Sequence, residues 1–155
     1  MSKKICVFPG TFDPPTKGHI DIIKRALDIF DIVYVGLLDN TEKKFMFDKQ
    51  KREQMLKAVF ADNERVVIKS FDGLLVDFAE SIGARTVIRG IRNEIDFSYE
   101  KQMHQINSAI GDIDTVIFPA NADTECVSST FIRELIRFKA DISAFVPEEI
   151  INMIY

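Results

Sequence analysis

Phe8-Pro9-Gly10-Thr11-Phe12-Asp13-Pro14-Pro15-Thr16-Lys17-Gly18-His19 is the stretch that decides how this chain folds. The apolar run 5–8 ahead of it reads as a strand, Pro9-Gly10 and Pro14-Pro15 as turns, and a helical pattern opens at Gly18-His19. Strand, phosphate-sized loop and helix, in that order, place one histidine and two threonines at the carboxyl edge of a first parallel strand. A helix N-terminus there offers unpaired N–H groups and a favourable dipole to an anion. Glycine lets the backbone approach a ligand with no Cβ in between. If Thr16 begins the helix, Thr16 and His19 are three apart and face one ligand. Neither G-x-x-x-x-G-K-[ST] nor G-x-G-x-x-G follows the strand, so a histidine stands where a P-loop has its lysine. The stretch reads as a nucleotide phosphate site.

Outward from it, β-branched apolar runs recur at 32–38, 66–68, 86–88 and 115–118. Helix-period segments separate them. Ile20, Ile23, Leu27 and Phe30 form a buried stripe, Asp48 caps a helix through Met55, Val59 and Phe60, and 74–82 closes at Gly83. A longer helix over 97–110 closes at Gly111, and two more follow, over 129–137 and from Pro147. This alternation predicts one α/β domain over 1–155, a Rossmann-like doubly wound sheet of about five parallel strands with helices on both faces. Ligands of such sheets bind outside the carboxyl ends of the strands.

The chain has 155 residues and a formal charge of −4, with no basic run, which argues against a nucleic-acid partner. An acidic protein that takes anionic substrates must gather its cations locally, and Lys17, Lys43, Lys44, Arg89 and Arg92 are the candidates. Two cysteines, Cys6 and Cys126, without a C-x-x-C suggest free thiols rather than zinc or disulfides. No leader pattern and no membrane-length segment is visible, so the expected location is the cytoplasm, with no membrane partner.

Three further constellations carry chemistry. Ile88-Arg89-Gly90-Ile91-Arg92 follows the fourth strand, and its two guanidinium forks suit a phosphate. Asp96 and Glu100 lie on one helical face, able to hold those arginines or accept from a ribose or base. Lys43-Lys44 follow the second strand after Asn40-Thr41-Glu42. Cys126-Val127-Ser128-Ser129-Thr130 precedes a helix; one hydroxyl is an ordinary N-cap and the row can also bind phosphate oxygens. Asp13 reads as a turn-stabilising residue rather than a metal ligand, and His104 as a surface histidine without a partner in these motifs.

Thr16-Lys17-Gly18-His19 resembles the [HT]-x-G-H mark of the nucleotidyltransferase superfamily, and GTFDP just ahead makes the match specific. All four constellations together resemble the phosphopantetheine adenylyltransferase family over nearly the whole chain. The features are the first loop, the lysine pair before Met46-Phe47, Arg89 through Gln102, and the serines before the closing helices. The resemblance implies attack by the phosphate of 4′-phosphopantetheine on the α-phosphate of ATP, giving dephospho-coenzyme A and pyrophosphate. It implies Thr11, His19, Lys43 and Arg92 as catalytic residues, with His19, Lys43 and Arg92 supplying positive charge. It assigns Thr11, Lys43, Leu75 and Arg89 to 4′-phosphopantetheine. It assigns Thr11, Phe12, His19, Gly90, Ile91, Arg92, Glu100 and the run Thr124, Glu125, Cys126, Val127, Ser128, Ser129, Thr130 to ATP. Mg²⁺ on the ATP phosphates, a homohexamer and inhibition by coenzyme A are also implied, with no protein cage for the metal.

Two places depart from the family pattern. The loop Ala122-Asp123-Thr124-Glu125-Cys126 lacks the usual aromatic, and Gly73 stands where an acid often precedes the leucine. Ser128-Ser129-Thr130-Phe131-Ile132-Arg133 also resembles nicotinamide or nicotinate mononucleotide adenylyltransferases. Thr16 and the Arg89–Gln102 segment count against these and against a glycerol-3-phosphate-type cytidylyltransferase. A non-catalytic ATP sensor is the alternative of another class; it would have no need of His19.

Overall fold

The computed structural model describes residues 1–39 and 42–155; Asn40 and Thr41, ahead of the lysine pair, lie outside the described residues. Five strands alternate with helices: β1 (Ile5–Gly10), α1 (Lys17–Ala26), β2 (Ile32–Leu38), α2 (Lys49–Val59), β3 (Val66–Phe71), α3 (Leu75–Ser81), β4 (Thr86–Ile91), α4 (Glu94–Ile110) and β5 (Asp114–Pro119). The helices α5 (Ser129–Arg137) and α6 (Glu148–Ile154) close the chain. All strand pairs are parallel, in the order β3-β2-β1-β4-β5. The chain moves outward from β1 to β3, then crosses back to β4 on the other side of β1. The order therefore reverses between β1 and β4, where such a sheet opens a crevice for ligands.

Apolar residues pack on both faces of the sheet. Cys6, Phe8, Val33, Val35 and Ile88 meet Ile20, Ile23 and Leu56 on one face, and Val7 and Val87 meet Val76, Phe78 and Ala79 on the other. Cys6 is buried and Cys126 exposed, both as free thiols; burial pushes the Cys6 thiol up to about 12, so it stays protonated. A third cluster joins Met55 of α2 to Val127, Ile132, Ile142, Val146 and Ile150, fastening α5 and α6 beside the ligand edge. Among the described residues no helix is long and apolar enough to cross a membrane.

Several boundaries differ from the sequence expectation. The strands β1, β3 and β4 run on to Gly10, Phe71 and Ile91, because each is still paired to a neighbour there. The helix α1 ends at Ala26, so Leu27 is its C-cap and Phe30 packs from beyond it. The helix α4 starts at Glu94 rather than at 97, because the Asn93 side chain caps it by accepting from the Asp96 N–H at 2.9 Å. Of its residues only Glu100 is buried, while Ile95, Phe97, Tyr99, Ile106 and Ile110 are exposed.

Candidate active site

A cleft of about 790 Å³ opens at the β1/β4 switch point. Gly10, Thr11, Phe12 and His19 line it from the loop after β1, and Arg89 to Arg92 from the end of β4. Thr124, Val127, Ser128, Ser129 and Thr130 line it from the segment before α5. Lys43 stands at its side. An apolar arm of the cleft runs between Leu74-Leu75 and the α4 residues Tyr99, Met103, Ile106 and Ile110.

The helix α1 begins with a reciprocal cap in which histidine has the part usually taken by glutamate. Thr16 Oγ1 accepts from the His19 N–H at 3.2 Å, and the Thr16 N–H donates to His19 Nδ1 at 3.0 Å. An acceptor Nδ1 fixes the neutral tautomer with its proton on Nε2. Protonating Nδ1 would set two N–H groups against each other. Burial, then the charges of Arg89 and Arg92, hold the imidazole pKa down at about 4. His19 is therefore a neutral N–H donor in the ligand-free protein, which corrects the expectation that it brings positive charge. Phe12 supports the ring edge-on, 4.9 Å between centroids, from a backbone at φ 49°, a strained conformation for a bulky residue. Gly10 fits under that same ring: a Cβ there would lie 3.1 Å from Phe12. A packing reason for this glycine thus stands beside the expectation that it yields room to a ligand.

On the β4 side, three of the five Arg89 N–H donors are engaged within the protein, and the side chain still lines the cleft. Nε and Nη2 donate to the two Glu100 oxygens at 2.9 and 2.8 Å, and Nη1 to Pro9 O at 2.9 Å. Both Glu100 carboxylate oxygens accept from Arg89, so it holds the arginine, one of the two roles read from the sequence, and it also lines the cleft. Arg92 is held by Asp96 through its backbone N–H (3.0 Å) and Nε (3.1 Å), while its side chain lines the cleft. Asp13 accepts the N–H groups of Met46 and Phe47 at 2.8 and 2.9 Å, tethering the lysine segment to the first loop. The turn role read from the sequence is therefore a long-range one. Among the described residues no group of three or more His, Cys, Asp or Glu could hold a metal ion.

The closing segment is anchored rather than free. Ser128 caps α5 by accepting from the Phe131 N–H (3.1 Å), and Ser129 Oγ donates to Pro14 O (2.9 Å). Both line the cleft; Glu125 and Cys126 of the same run do not. Lys44 does not line it either, and Lys17 turns away to donate to Ser143 O at 3.0 Å. Arg133, missed in the sequence, does line the cleft and donates to Asp13 O (2.8 Å) and Thr130 Oγ1 (3.2 Å). Its position four residues inside a helix opened by a hydroxyl row was the available signal. His104, read as partnerless, has Nδ1 3.3 Å from both Thr115 and Ser108 hydroxyls and lines the cleft's apolar arm.

The cytidylyltransferase-like family matches the chain over residues 7–135. The phosphopantetheine adenylyltransferase of Bacteroides thetaiotaomicron is 41% identical over 142 residues, which cover 92% of this chain and 94% of that one. That of Clostridium beijerinckii is 43% identical over 150 residues, 96% and 94% of the two chains. That of Francisella tularensis subsp. mediasiatica is 44% identical over 147 residues, 94% and 91%. A solved structure from Vibrio parahaemolyticus, provisionally described as a nicotinate-nucleotide adenylyltransferase, superposes with a TM-score of 0.65 over 99% of each chain. At 21% identity that likeness is one of fold.

Proposed function

The chain belongs to the phosphopantetheine adenylyltransferases, and from that premise we infer how its cleft transfers the adenylyl group of ATP to 4′-phosphopantetheine, giving dephospho-coenzyme A and pyrophosphate. An oxygen of the acceptor phosphate attacks the α-phosphorus. The bond from that phosphorus to the bridging oxygen breaks, and pyrophosphate leaves with the electron pair. The attacking oxygen is already anionic, so the protein needs neither a base nor a covalent nucleophile. Positioning and charge neutralisation carry the reaction.

His19 Nε2–H and Thr11 donate to the α-phosphate, where negative charge builds up. Arg92 and Thr124 to Thr130, without Glu125 and Cys126, hold the rest of ATP along with Gly90 and Ile91. Lys43 and Arg89 take the acceptor phosphate, and Leu75 packs on the pantetheine arm in the apolar groove. With both Asp13 oxygens engaged by backbone N–H groups and Asp96 by Arg92, Mg²⁺ would be held by the ATP phosphates, where it would neutralise charge. A cytoplasmic homohexamer inhibited by coenzyme A completes the proposal; the exposed apolar side chains of α4 support self-association.

The observation that carries this reading is the fixed tautomer of His19, a preorganised donor beside the switch-point cleft. Pyrophosphate release from ATP and Mg²⁺ tests it, with 4′-phosphopantetheine or nicotinate mononucleotide as acceptor. Release only with 4′-phosphopantetheine is expected. His19→Ala should cost kcat about 10²–10³-fold, as losing one oxyanion donor does. Release only with the mononucleotide, or full activity in His19→Ala, would overturn it.

A further inference from the structure

Arg52 is only 1% exposed, an uncommon place for a guanidinium. A buried cation survives there only when its donors are satisfied. Its partners all lie on the ligand edge. Nη1 donates to Thr11 O at 2.7 Å and to Leu38 O at 3.4 Å, and Nε to Phe47 O at 3.0 Å. The guanidinium also lies 4.0 Å over the Phe45 ring. From the other side Asp13, 2% exposed, accepts from the N–H groups of Met46 and Phe47. Both groups thus grip residues 45–47, directly after the lysine pair, and both belong to or bind the loop that carries Thr11. Neither lines the cleft.

We propose that Arg52 and Asp13 are positioning residues, a buried clamp that holds the Lys43 segment in register with Thr11. The clamp thereby sets the separation between the acceptor phosphate and the α-phosphorus it attacks. This rests on the assignment of Lys43 to the acceptor phosphate. Lys43 is exposed, and a lysine is a flexible point charge with no geometry of its own. Its aim must come from the backbone that carries it, and a misplacement of about 1 Å costs about 10²-fold in such reactions. The chemistry of both groups suits the task. A planar fork reaches several carbonyls while stacking on a ring, and a carboxylate offers one oxygen to each of two adjacent N–H groups. Lysine at 52 loses the fork, and asparagine at 13 turns one acceptor into a donor facing an N–H.

The test is steady-state kinetics of Arg52→Lys and Asp13→Asn, each substrate varied in turn, with melting curves to confirm folding. Phe45→Leu, which removes only the stacking face, is the milder third variant. The KM for 4′-phosphopantetheine should rise about tenfold or more, as losing hydrogen bonds to a charged group predicts. The KM for ATP should stay within about twofold. In a Lys43→Ala background the Arg52→Lys effect should nearly vanish, because the lysine it aims is gone. The same fold-loss in kcat/KM for 4′-phosphopantetheine with and without Lys43 would mean plain structural damage and overturn the clamp. If Lys43→Ala by itself leaves the acceptor KM unchanged, the reading of Lys43 fails and takes the proposal with it.

Discussion

The proton inventory of His19 shows what one residue's surroundings decide. Its folded pKa of about 4 lies below the ordinary value of 6.5, so the unfolded chain binds a proton that the folded one refuses. That contribution is fully present above pH 6.5 and is lost as pH falls from 6.5 towards about 4. Between pH 7 and 5 the ligand-free wild type should lose about 2 kcal/mol more unfolding free energy than His19→Gln, read from urea titrations. Equal losses would show that the ring is not held neutral. The same argument expects no acid limb from His19 in kcat/KM for ATP between pH 5.5 and 8, since the free enzyme's donor stays in one form throughout.

Among the elements, α4 buries one residue of its 17, and that residue is an acid, where α5 and α6 bury an isoleucine. Glu100 reaches from the helix to the end of β4 and holds Arg89 with two charge-assisted bonds. Glu100→Gln keeps one acceptor but turns the other position into a donor facing Arg89. It should destabilise the fold by about 1–3 kcal/mol, the loss typical of a hydrogen bond to a charged group. It should also raise the KM for 4′-phosphopantetheine, because Arg89 is no longer aimed. Chemical denaturation and acceptor titration check both; an unchanged KM would mean that Arg89 serves only the sheet. A glycine at 73 with φ +94° shapes the turn before Leu74-Leu75, a backbone need that explains why no acid stands there.

At the scale of the molecule, three packed clusters account for the buried apolar residues, yet Ile95, Phe97 and Ile110 of α4 and Val116 of β5 remain exposed. Val116 lies on the edge strand β5, which has one free side, and α4 packs against both β4 and β5. Covering these side chains with other subunits would explain a helix that the monomer barely buries. Phe97→Lys places a charge there, outside the cleft, and should shift sedimentation velocity profiles towards smaller species while the monomer still folds. An unchanged profile would place the subunit contacts elsewhere.

The alternation of strands and helices, the single parallel sheet and the place of the first loop at its carboxyl edge were legible in the sequence. They rest on periodicity, turn residues and contacts between near neighbours such as Thr16 and His19, which are encoded within a few residues. Strand ends and the start of α4 were misread because pairing with another strand or one capping side chain decides them. The withdrawal of Lys17 to Ser143 and the grip of Arg52 on Thr11 lay beyond the sequence. Each joins groups set by the tertiary fold, Arg52 and Thr11 being 41 residues apart and Lys17 and Ser143 126 apart. The residue types that could do the chemistry are local information; which of them face the ligand, and in which protonation state, depends on distances that only the folded chain creates.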